Sequence, residues 1–267
     1  RLASSLVSVH LGTVGTVINS RADTAVTLPG NQGTVPYKFS LYRFDWATST
    51  SQTIETKLGS ANMGLALASG GLAFVAGSLA RNDVQTTASL KTSVQSGTGF
   101  VESHLWRVDA ALGVQDRDLN LDAGGNRVAV NQRVSMPTDV VLLTNGASVQ
   151  RAFVTSYQTD RIVVLDNNGL PLKQWPSKAF AVPAPTTGGY SMAGPRSLAL
   201  KAALPSQPGD PGARLYCLNR LDSSVSVFDP NAGTPSQLAR IQLAHDPSPP
   251  SVRAGRRFLF DARISQQ

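Results

Sequence analysis

The amino-acid sequence predicts an all-β fold of four-stranded antiparallel sheets, and a repeat along the chain is the main reason. Apolar segments that end on an aspartate recur, and their closing residues are Asp45, Asp109, Asp166 and Asp229. The intervals between them are 64, 57 and 63 residues (109−45, 166−109 and 229−166), which indicates one supersecondary unit repeated in tandem. Few segments hold the 3.6-residue apolar spacing of a helix, and 23 glycines and 16 prolines interrupt the chain.

Each repeat contains the same strands. The last two repeats align without a gap over Arg151–Asp166 and Arg214–Asp229, each a strand, a polar turn and a strand. Another strand precedes the hairpin, at 62–67, 137–142 and 195–200, and a further strand comes after the aspartate. Four-stranded sheets repeated about an axis are the blades of a β-propeller. The sequence therefore predicts a β-propeller with about four blades in this chain.

The repeats also set the domain boundaries. The blades occupy residues 1–245, with repeats at roughly 1–58, 59–121, 126–175 and 193–243, and residues 246–267 form a tail. Polar or Pro- and Gly-rich segments at 19–36, 79–99 and 176–192 are predicted to be connecting loops on the surface.

Composition narrows the class of protein. Only 15% of the 267 residues are charged and 41% are hydrophobic, which is typical of a globular protein and not of a disordered one. No apolar run is long enough to span a membrane. The net charge is +7, but the basic residues are mostly scattered, so nucleic acid is not an expected partner. The chain lacks an initiator Met and a signal peptide, and we expect a processed or truncated polypeptide.

No sequence motif for a catalytic or metal-binding site is complete. Carboxylates alternate from Asp116 to Asp122, but Leu121 and Arg127 stand where a calcium loop needs Gly and Glu. We therefore interpret this segment as an outer blade strand. The histidines, His10, His104 and His245, are scattered, and no metal ligand is assigned. Cys217 is expected to be buried in a strand, and Trp46, Trp106 and Trp175 are expected to wedge between blades.

Two segments carry a resemblance to a known family. Leu215–Asn219 followed by Ser224–Asp229 resembles the bacterial YVTN-type β-propeller repeat. Residues His245–Arg263 resemble the junction between such a propeller and a c-type cytochrome (cytochrome c peroxidase-like) domain, with Phe260 in place of the usual tyrosine. The family's Cys-x-x-Cys-His motif does not occur in this chain. The resemblance thus implies no cofactor here, and haem c only in a downstream domain.

The resemblance also suggests how the chain is used. Propellers of this family have seven or eight blades, so four units imply that the missing blades come from the parent polypeptide or from a partner chain. The residues expected to dock the tail on its partner are His245, Arg253, Arg256, Arg257 and Arg263.

Three functions remain open at this point. The first is a non-catalytic module that docks an electron-transfer domain or another protein in the periplasm or outside the cell. The second is a propeller enzyme, a lactonase-like hydrolase or a metal- or haem-dependent oxidoreductase, with its site at the central channel. The third is a structural subunit of a cell-envelope complex. Charged or His side chains on the propeller axis would favour the enzyme, and small apolar ones the scaffold.

Overall fold

The computed structural model describes most of the chain. The described residues are 14–18, 24–27, 34–45, 48–80, 101–109, 113–183, 192–203, 210, 212–243, 246 and 248–263. They form four antiparallel sheets of four strands each, so the predicted all-β fold of four-stranded propeller blades is confirmed.

The strands are numbered in chain order. Blade 1 contains β1 (Val14–Ile18), β2 (Thr24–Thr27), β3 (Thr34–Asp45) and β4 (Thr50–Leu58). Blade 2 contains β5 (Ala61–Leu67), β6 (Ala73–Ala80), β7 (Val101–Asp109) and β8 (Gly113–Asp118). Blade 3 contains β9 (Pro137–Asn145), β10 (Ser148–Ser156), β11 (Arg161–Asp166) and β12 (Ser177–Ala181). Blade 4 contains β13 (Pro195–Lys201), β14 (Arg214–Asn219), β15 (Ser224–Phe228) and β16 (Gln237–Gln242), and the tail forms the helix α1 (Pro250–Phe260).

Blades 2, 3 and 4 are simple meanders in which each strand pairs with the next one along the chain. Blade 1 is different, because its long strand β3 pairs with β1, β2 and β4. The expected regular four-strand unit is therefore found three times, and the first repeat is an irregular sheet. The repeat signal was weakest there, since residues 19–36 obscured the early strands.

The blades pack face to face through apolar side chains. Phe74 and Leu105 of blade 2 meet Val154 and Val163 of blade 3 in one buried cluster. A second cluster of the same kind joins blades 3 and 4, and a third joins blades 1 and 2 around Trp106. Buried apolar surface of this sort is the main stabilising contribution between stacked sheets.

Arginines reinforce two of these junctions. Arg117 on β8 donates to the backbone oxygen of Lys173 at 2.7 Å and to Ser177 Oγ at 3.1 Å, which joins blade 2 to blade 3. Arg151 on β10 donates to the backbone oxygens of Pro230 and Ala232 at 2.9 and 2.8 Å, which joins blade 3 to blade 4. Both side chains therefore hydrogen-bond to backbone oxygens of the neighbouring blade.

The inner strands β5, β9 and β13 lie side by side. A Cβ atom added to Gly64 would come within 2.7 Å of the Asp139 backbone, so only glycine allows β5 to approach β9 this closely. On the other side of β9, Asp139 Oδ2 accepts the N–H of Leu198 at 2.7 Å. These contacts fix the spacing of the blades at their inner edge.

Three details differ from the sequence analysis. β2 lies within 19–36 and β12 within 176–192, segments that we assigned to loops. The tail forms α1, which the all-β prediction did not include. The helix begins at Pro250, and a proline at the first helical position loses no intrahelical hydrogen bond and presets the backbone. In the described residues, no helix is long and apolar enough to cross a membrane.

Candidate functional site

The outer half of blade 2 gathers a group of charged side chains on one face. β7 and β8 pair so that His104 lies opposite Asp118 and Trp106 lies opposite Asp116. Side chains alternate between the two faces of a strand, so Glu102, two residues before His104, joins the same face. We call Glu102, His104, Asp116 and Asp118 the blade-2 cluster.

His104 is held at both ring nitrogens. Its Nδ1 lies 2.7 Å from Asp116 Oδ1 and its Nε2 lies 3.2 Å from Glu102 Oε2. The ring stacks on Trp106 with centroids 5.2 Å apart and planes 8° from parallel. With one carboxylate at each nitrogen, both nitrogens act as donors, which requires the protonated imidazolium.

The protonation of His104 results from two opposing effects. Burial disfavours the imidazolium, but the hydrogen bonds with Asp116 and Glu102 outweigh it and raise the pKa of His104 from 6.5 to about 9. The ring is therefore a buried cation at neutral pH. Its side chain is only 5% exposed, so solvent screens this charge weakly.

Asp118 is the second unusual group of the blade-2 cluster. Burial raises the pKa of its carboxyl. The hydrogen bond from the Asn120 N–H and the positive charges of His104 and Arg127 lower this pKa, but burial has the larger effect. The Asn120 N–H reaches Asp118 Oδ1 at 2.8 Å, and Arg127 reaches Asp118 Oδ2 at 3.3 Å. A carboxyl with a raised pKa is a stronger base once ionised, so Asp118 is the member of the cluster most suited to accept a proton.

A cavity of about 400 Å³ opens beside the cluster, between the outer edge of blade 2 and the segment before β12. His104, Asp116 and Asp118 line one side, and Lys173 and Gln174 of blade 3 line the other. A cavity of this size takes a small polar molecule. Titratable groups with shifted pKa values in a cleft mark a candidate functional site.

The same side chains could hold a metal ion. Glu102, His104 and Asp118 each offer a ligand atom, and these atoms lie within 4.8 Å of one another. Imidazole and carboxylate together suit a transition-metal dication such as Zn²⁺. Binding it would require His104 to lose its proton and Arg127 to move from Asp118, so a proton and a metal ion would compete for this place.

From the sequence, no metal ligand was assigned, His104 was one of three scattered histidines, and Glu102 was not a candidate. The sequence pattern that could have revealed the cluster is the spacing of its members. Glu102 and His104 stand two residues apart on one strand, and Asp116 and Asp118 stand two residues apart on the next. Those two patterns face each other only in the observed register of β7 and β8.

Two of the tail arginines that we expected to dock a partner, Arg256 and Arg263, contact this chain's own blades in the structure. Arg256 donates to the backbone oxygen of Leu221 at 2.7 Å and lies 3.2 Å from Asp246 Oδ2. Arg263 lies 3.0 Å from Asp160 Oδ2 on blade 3. These contacts fasten α1 across the turns of blades 3 and 4.

The other predicted docking residues are placed differently. Arg257 lies 3.2 Å from Asp261, one helical turn along α1, and Arg253 is exposed. His245 lies outside the described residues, as do His10 and Trp46. The structure thus brings the tail arginines together along one short segment, and two of them bind the propeller.

Three large apolar side chains of α1 face solvent. Phe258 and Leu259 are 71% and 75% exposed, and Val252 is 51% exposed. Phe260 instead turns inward, with its ring 5.8 Å from that of Tyr157. A helix held by charged contacts with large apolar side chains outward is typical of an interaction surface.

Arg196 is a charged side chain on the inner strands of the described blades. It lies on β13 and reaches toward blade 2, where its Nη1 lies 3.9 Å from Met63 Sδ on β5. Thr138 of blade 3 holds the equivalent position in its blade and donates to the Arg196 backbone oxygen at 2.7 Å. The next residue of β9, Asp139, is a carboxylate on which the charge of Arg196 acts, so the inner strands bring a cation and an anion together.

Two further expectations concern buried residues. Cys217 is fully buried in β14, and burial raises the pKa of its thiol, which excludes it as a nucleophile. Trp106 and Trp175 are buried in the clusters that join neighbouring blades, as the wedge interpretation predicted.

Comparison with known proteins gives similar structures only. No model of a protein family matches the chain, and no curated protein does. A periplasmic gluconolactonase of Pseudomonas aeruginosa is 20% identical at a TM-score of 0.48, with 89% of this chain and 56% of that chain covered. A catalytically inactive virginiamycin B lyase of Staphylococcus aureus is 11% identical at a TM-score of 0.46, with 92% and 71% covered.

A protein of unknown function from Desulfotomaculum acetoxidans is 14% identical at a TM-score of 0.46, with 97% of this chain and 75% of that chain covered. The chain thus spans little more than half the length of the gluconolactonase. At these identities and scores, the similarity assigns no activity to this chain.

Proposed function

We propose that this chain is a hydrolase of small polar esters, with the blade-2 cluster as its acid–base unit. One observation carries the proposal: a buried His104 cation and a carboxyl of raised pKa, Asp118, open together on a 400 Å³ cavity. This is the enzyme alternative of the sequence analysis, with its site moved from the central channel to the outer edge of blade 2.

In the proposed reaction, Asp118 acts first as a general base and then as a general acid. The Asp118 carboxylate takes a proton from a water molecule as the water oxygen attacks the ester carbonyl carbon. The tetrahedral intermediate then collapses, the bond between the carbonyl carbon and the alkoxy oxygen breaks, and Asp118 returns the proton to the leaving oxygen. The products are a carboxylic acid and an alcohol, joined in one molecule when the substrate is a lactone.

The surrounding charges have defined tasks in this scheme. His104 stays protonated and stabilises negative charge that develops in the cavity. Asp116 and Glu102 hold the ring by its two nitrogens, so they are positioning residues. Lys173, across the cavity, supplies a second cation for the oxyanion.

The substrate class is inferred from the cavity. Its volume suits a molecule the size of a monosaccharide, and charged and amide side chains line it. Sugar-acid lactones are therefore the first probes, a choice that agrees with the name of the Pseudomonas gluconolactonase.

The test is hydrolysis of glucono-1,5-lactone, followed as acid release at constant pH after the spontaneous rate is subtracted. We expect Asp118→Asn to lower the enzymatic rate about 100-fold or more. The matched control is Asp229→Asn, which replaces a blade 4 aspartate that binds the Asn231 N–H and should leave the rate unchanged. Absence of hydrolysis by the parent chain across a lactone panel, or full activity of Asp118→Asn, would contradict the proposal.

A second candidate function rests on a different observation, the exposed apolar side of α1. We propose that this surface docks an electron-transfer domain, as the cytochrome junction of the sequence analysis implies, in a periplasmic or extracellular protein. The probe is a purified monohaem c-type cytochrome titrated by calorimetry. Leu259→Asp should abolish binding, and Val114→Asp, on the outer strand of blade 2, should not. No binding by the parent chain would reject the cytochrome.

A further inference from the structure

A second cavity, of about 440 Å³, lies between blades 2 and 3, beside the turn that follows Asp166. Its lining includes Leu72, Phe74 and Arg107 of blade 2 and Asn167, Gly169 and Trp175 of blade 3. Among the described residues, none lines both this cavity and the one beside the blade-2 cluster. We call it the inter-blade cavity, and it is a separate place from the candidate site.

The junction of blades 3 and 4 shows how the repeat closes the equivalent place. Arg151 Nε lies 2.6 Å from Asp166 Oδ1. The same guanidinium donates to the backbone oxygens of Pro230 and Ala232 in the turn of blade 4. Val164, two residues before Asp166, is 2% exposed and packs in the apolar cluster between these blades. An arginine on β10 and a valine on β11 together close this junction.

Blade 2 carries the same two kinds of side chain in exchanged positions. Leu72 stands at the position of Arg151, directly before the Ala-Phe-Val that both strands contain. Arg107 stands at the position of Val164, two residues before the closing aspartate. It also contacts that aspartate, with its Nη2 3.3 Å from Asp109 Oδ2. The arginine of blade 2 is therefore on β7, at a position where blades 3 and 4 have valine.

The turn that Arg151 binds in blade 4 has a counterpart beside the inter-blade cavity. Asn167 and Gly169 stand one and three residues after the closing aspartate of blade 3 (167−166 and 169−166), as do the two residues that Arg151 binds in blade 4. In the described part of the chain, Arg107 is hydrogen-bonded to Asp109 and not to this turn. This difference explains why a cavity remains between blades 2 and 3.

The position of Arg107 gives the inter-blade cavity one charged wall. A guanidinium has five N–H donors, and Asp109 accepts from one of its nitrogens. The Arg107 side chain is 21% exposed, so water weakens its charge less than it weakens that of a fully exposed side chain. A carboxylate can accept two N–H groups of a guanidinium side by side, and it is therefore the matching ligand group.

The remaining lining of the inter-blade cavity suits the apolar part of a ligand. Leu72 and the rings of Phe74 and Trp175 line it, and the two ring centroids are 5.8 Å apart. Aromatic rings pack well against a flat apolar body. A volume of about 440 Å³ admits a molecule of the size of a small aryl acid.

We propose that the inter-blade cavity binds a small carboxylate with an aromatic or other apolar body, and that Arg107 holds its carboxylate group. The ligand body lies against Leu72 and Trp175. The ligand thus closes a junction that the chain's own Arg151 closes between blades 3 and 4. This site does not depend on the proposed hydrolase, because it uses none of the residues of the blade-2 cluster.

The first test is calorimetric titration of the full chain with phenylacetate, its neutral analogue phenylacetamide and the cation phenethylamine. We expect phenylacetate to bind at least about 10-fold more tightly than the amide, because only the acid forms a charge-assisted pair with Arg107. No binding of phenylacetate, or equal binding of acid and amide, overturns the proposal. Tighter binding of the amine also overturns it, and would mean that Asp109 and the turn select a cation.

The second test uses variants that copy the other blades. Arg107→Val introduces the residue that blades 3 and 4 have at this position, and it should weaken phenylacetate binding roughly 10-fold or more. The control Arg253→Val removes an exposed cation of α1, so it changes the net charge equally and should leave binding unchanged. Unchanged binding by Arg107→Val contradicts the proposal. A circular dichroism melt shows whether each variant is folded.

A double variant covers the case in which Arg107→Val does not fold. Leu72→Arg combined with Arg107→Val rebuilds the arrangement of blade 3, so the new arginine should fill the inter-blade cavity and prevent phenylacetate binding. Binding that survives in this variant overturns the proposal. Asp118→Asn separates this site from the hydrolase, because it should leave phenylacetate binding unchanged, and lost binding would count against a separate site.

Discussion

Blades 2 and 4 place different polar side chains at equivalent backbone positions. His104 in blade 2 and Ser224 in blade 4 both stand five residues before the closing aspartate (109−104 and 229−224). In blade 4, Asn219 donates to Ser224 Oγ at 2.9 Å and to Ser226 Oγ at 2.8 Å, and Ser224 donates to Asp222 Oδ1 at 2.6 Å. In blade 2, the corresponding face holds a buried cation between carboxylates.

The difference separates a structural network from a reactive one. The blade 4 network is built on neutral serine and asparagine groups, and the carboxylate that it reaches, Asp222, is paired with Arg240, so the network stabilises the blade as a bonded set. The blade-2 cluster contains groups of shifted pKa and opens on a cavity, which are the properties of a site. The repeat therefore gives each blade equivalent backbone positions, and the side chains at those positions in blade 2 form the titratable cluster.

The largest expected effect comes from removing the cation. His104→Ala should lower the free energy of unfolding by about 3–5 kcal/mol, because Glu102 and Asp118 lose the buried cation and keep only Arg127 nearby. Urea unfolding measures the loss. Ser224→Ala, at the equivalent position of blade 4, should cost only about 1–2 kcal/mol, and equal losses at the two positions would erase the distinction between the blades.

The next effect is a pH dependence of stability. The pKa of His104 is raised in the folded state, so its contribution is fully present below pH 6.5 and is lost as pH rises through about 9. The change is on the order of 3 kcal/mol. Urea midpoints between pH 6 and pH 10 should fall in the parent chain and much less in His104→Ala, whereas parallel curves would speak against a buried imidazolium.

A smaller effect is expected in blade 4. Asn219→Ala removes both amide hydrogen bonds to Ser224 and Ser226 and should cost about 1–3 kcal/mol. This loss should differ little between pH 7 and pH 9, because neither serine titrates in that range and Asp222, which accepts from Ser224, is paired with Arg240. A loss that varied strongly over this range would show that the protonation of Asp222 controls the network.

The smallest effect concerns the tail. Arg256→Ala removes a partly exposed contact with Leu221 and Asp246 and should change the melting temperature of the blades little. It should instead speed hydrogen exchange at the Ala262 amide, which donates to the Gln158 oxygen at 3.1 Å. A large drop in melting temperature with unchanged exchange would mean that α1 is part of the core.

The sequence predicts the blades well because their signal is local. The alignment of Arg151–Asp166 with Arg214–Asp229 needs only strand alternation and turn residues, and both hairpins form as expected. Strand β12 was missed because its segment is rich in proline and glycine and was assigned to a loop, and helix α1 was missed because the tail was interpreted only as a junction. A proline is compatible with the start of a helix and with residues between strands, so it marks a boundary without identifying the type of the next element.

The candidate site was harder to predict because it depends on contacts across strands. His104 meets Asp118 only when β7 and β8 pair in the observed register, and a shift of one residue would send these side chains to opposite faces. Likewise, nothing near Arg256 in the sequence indicates that it binds the Leu221 oxygen 35 residues earlier. Such contacts come from the tertiary structure.

The most direct test of the buried cation is the titration of the His104 imidazole by nuclear magnetic resonance. The chain has three histidines, and the signal that disappears in His104→Ala identifies the ring. We predict a midpoint near pH 9, with both ring nitrogens protonated at neutral pH. A midpoint at or below 6.5 would mean that the blade-2 cluster does not hold a buried cation, and would contradict the central claim.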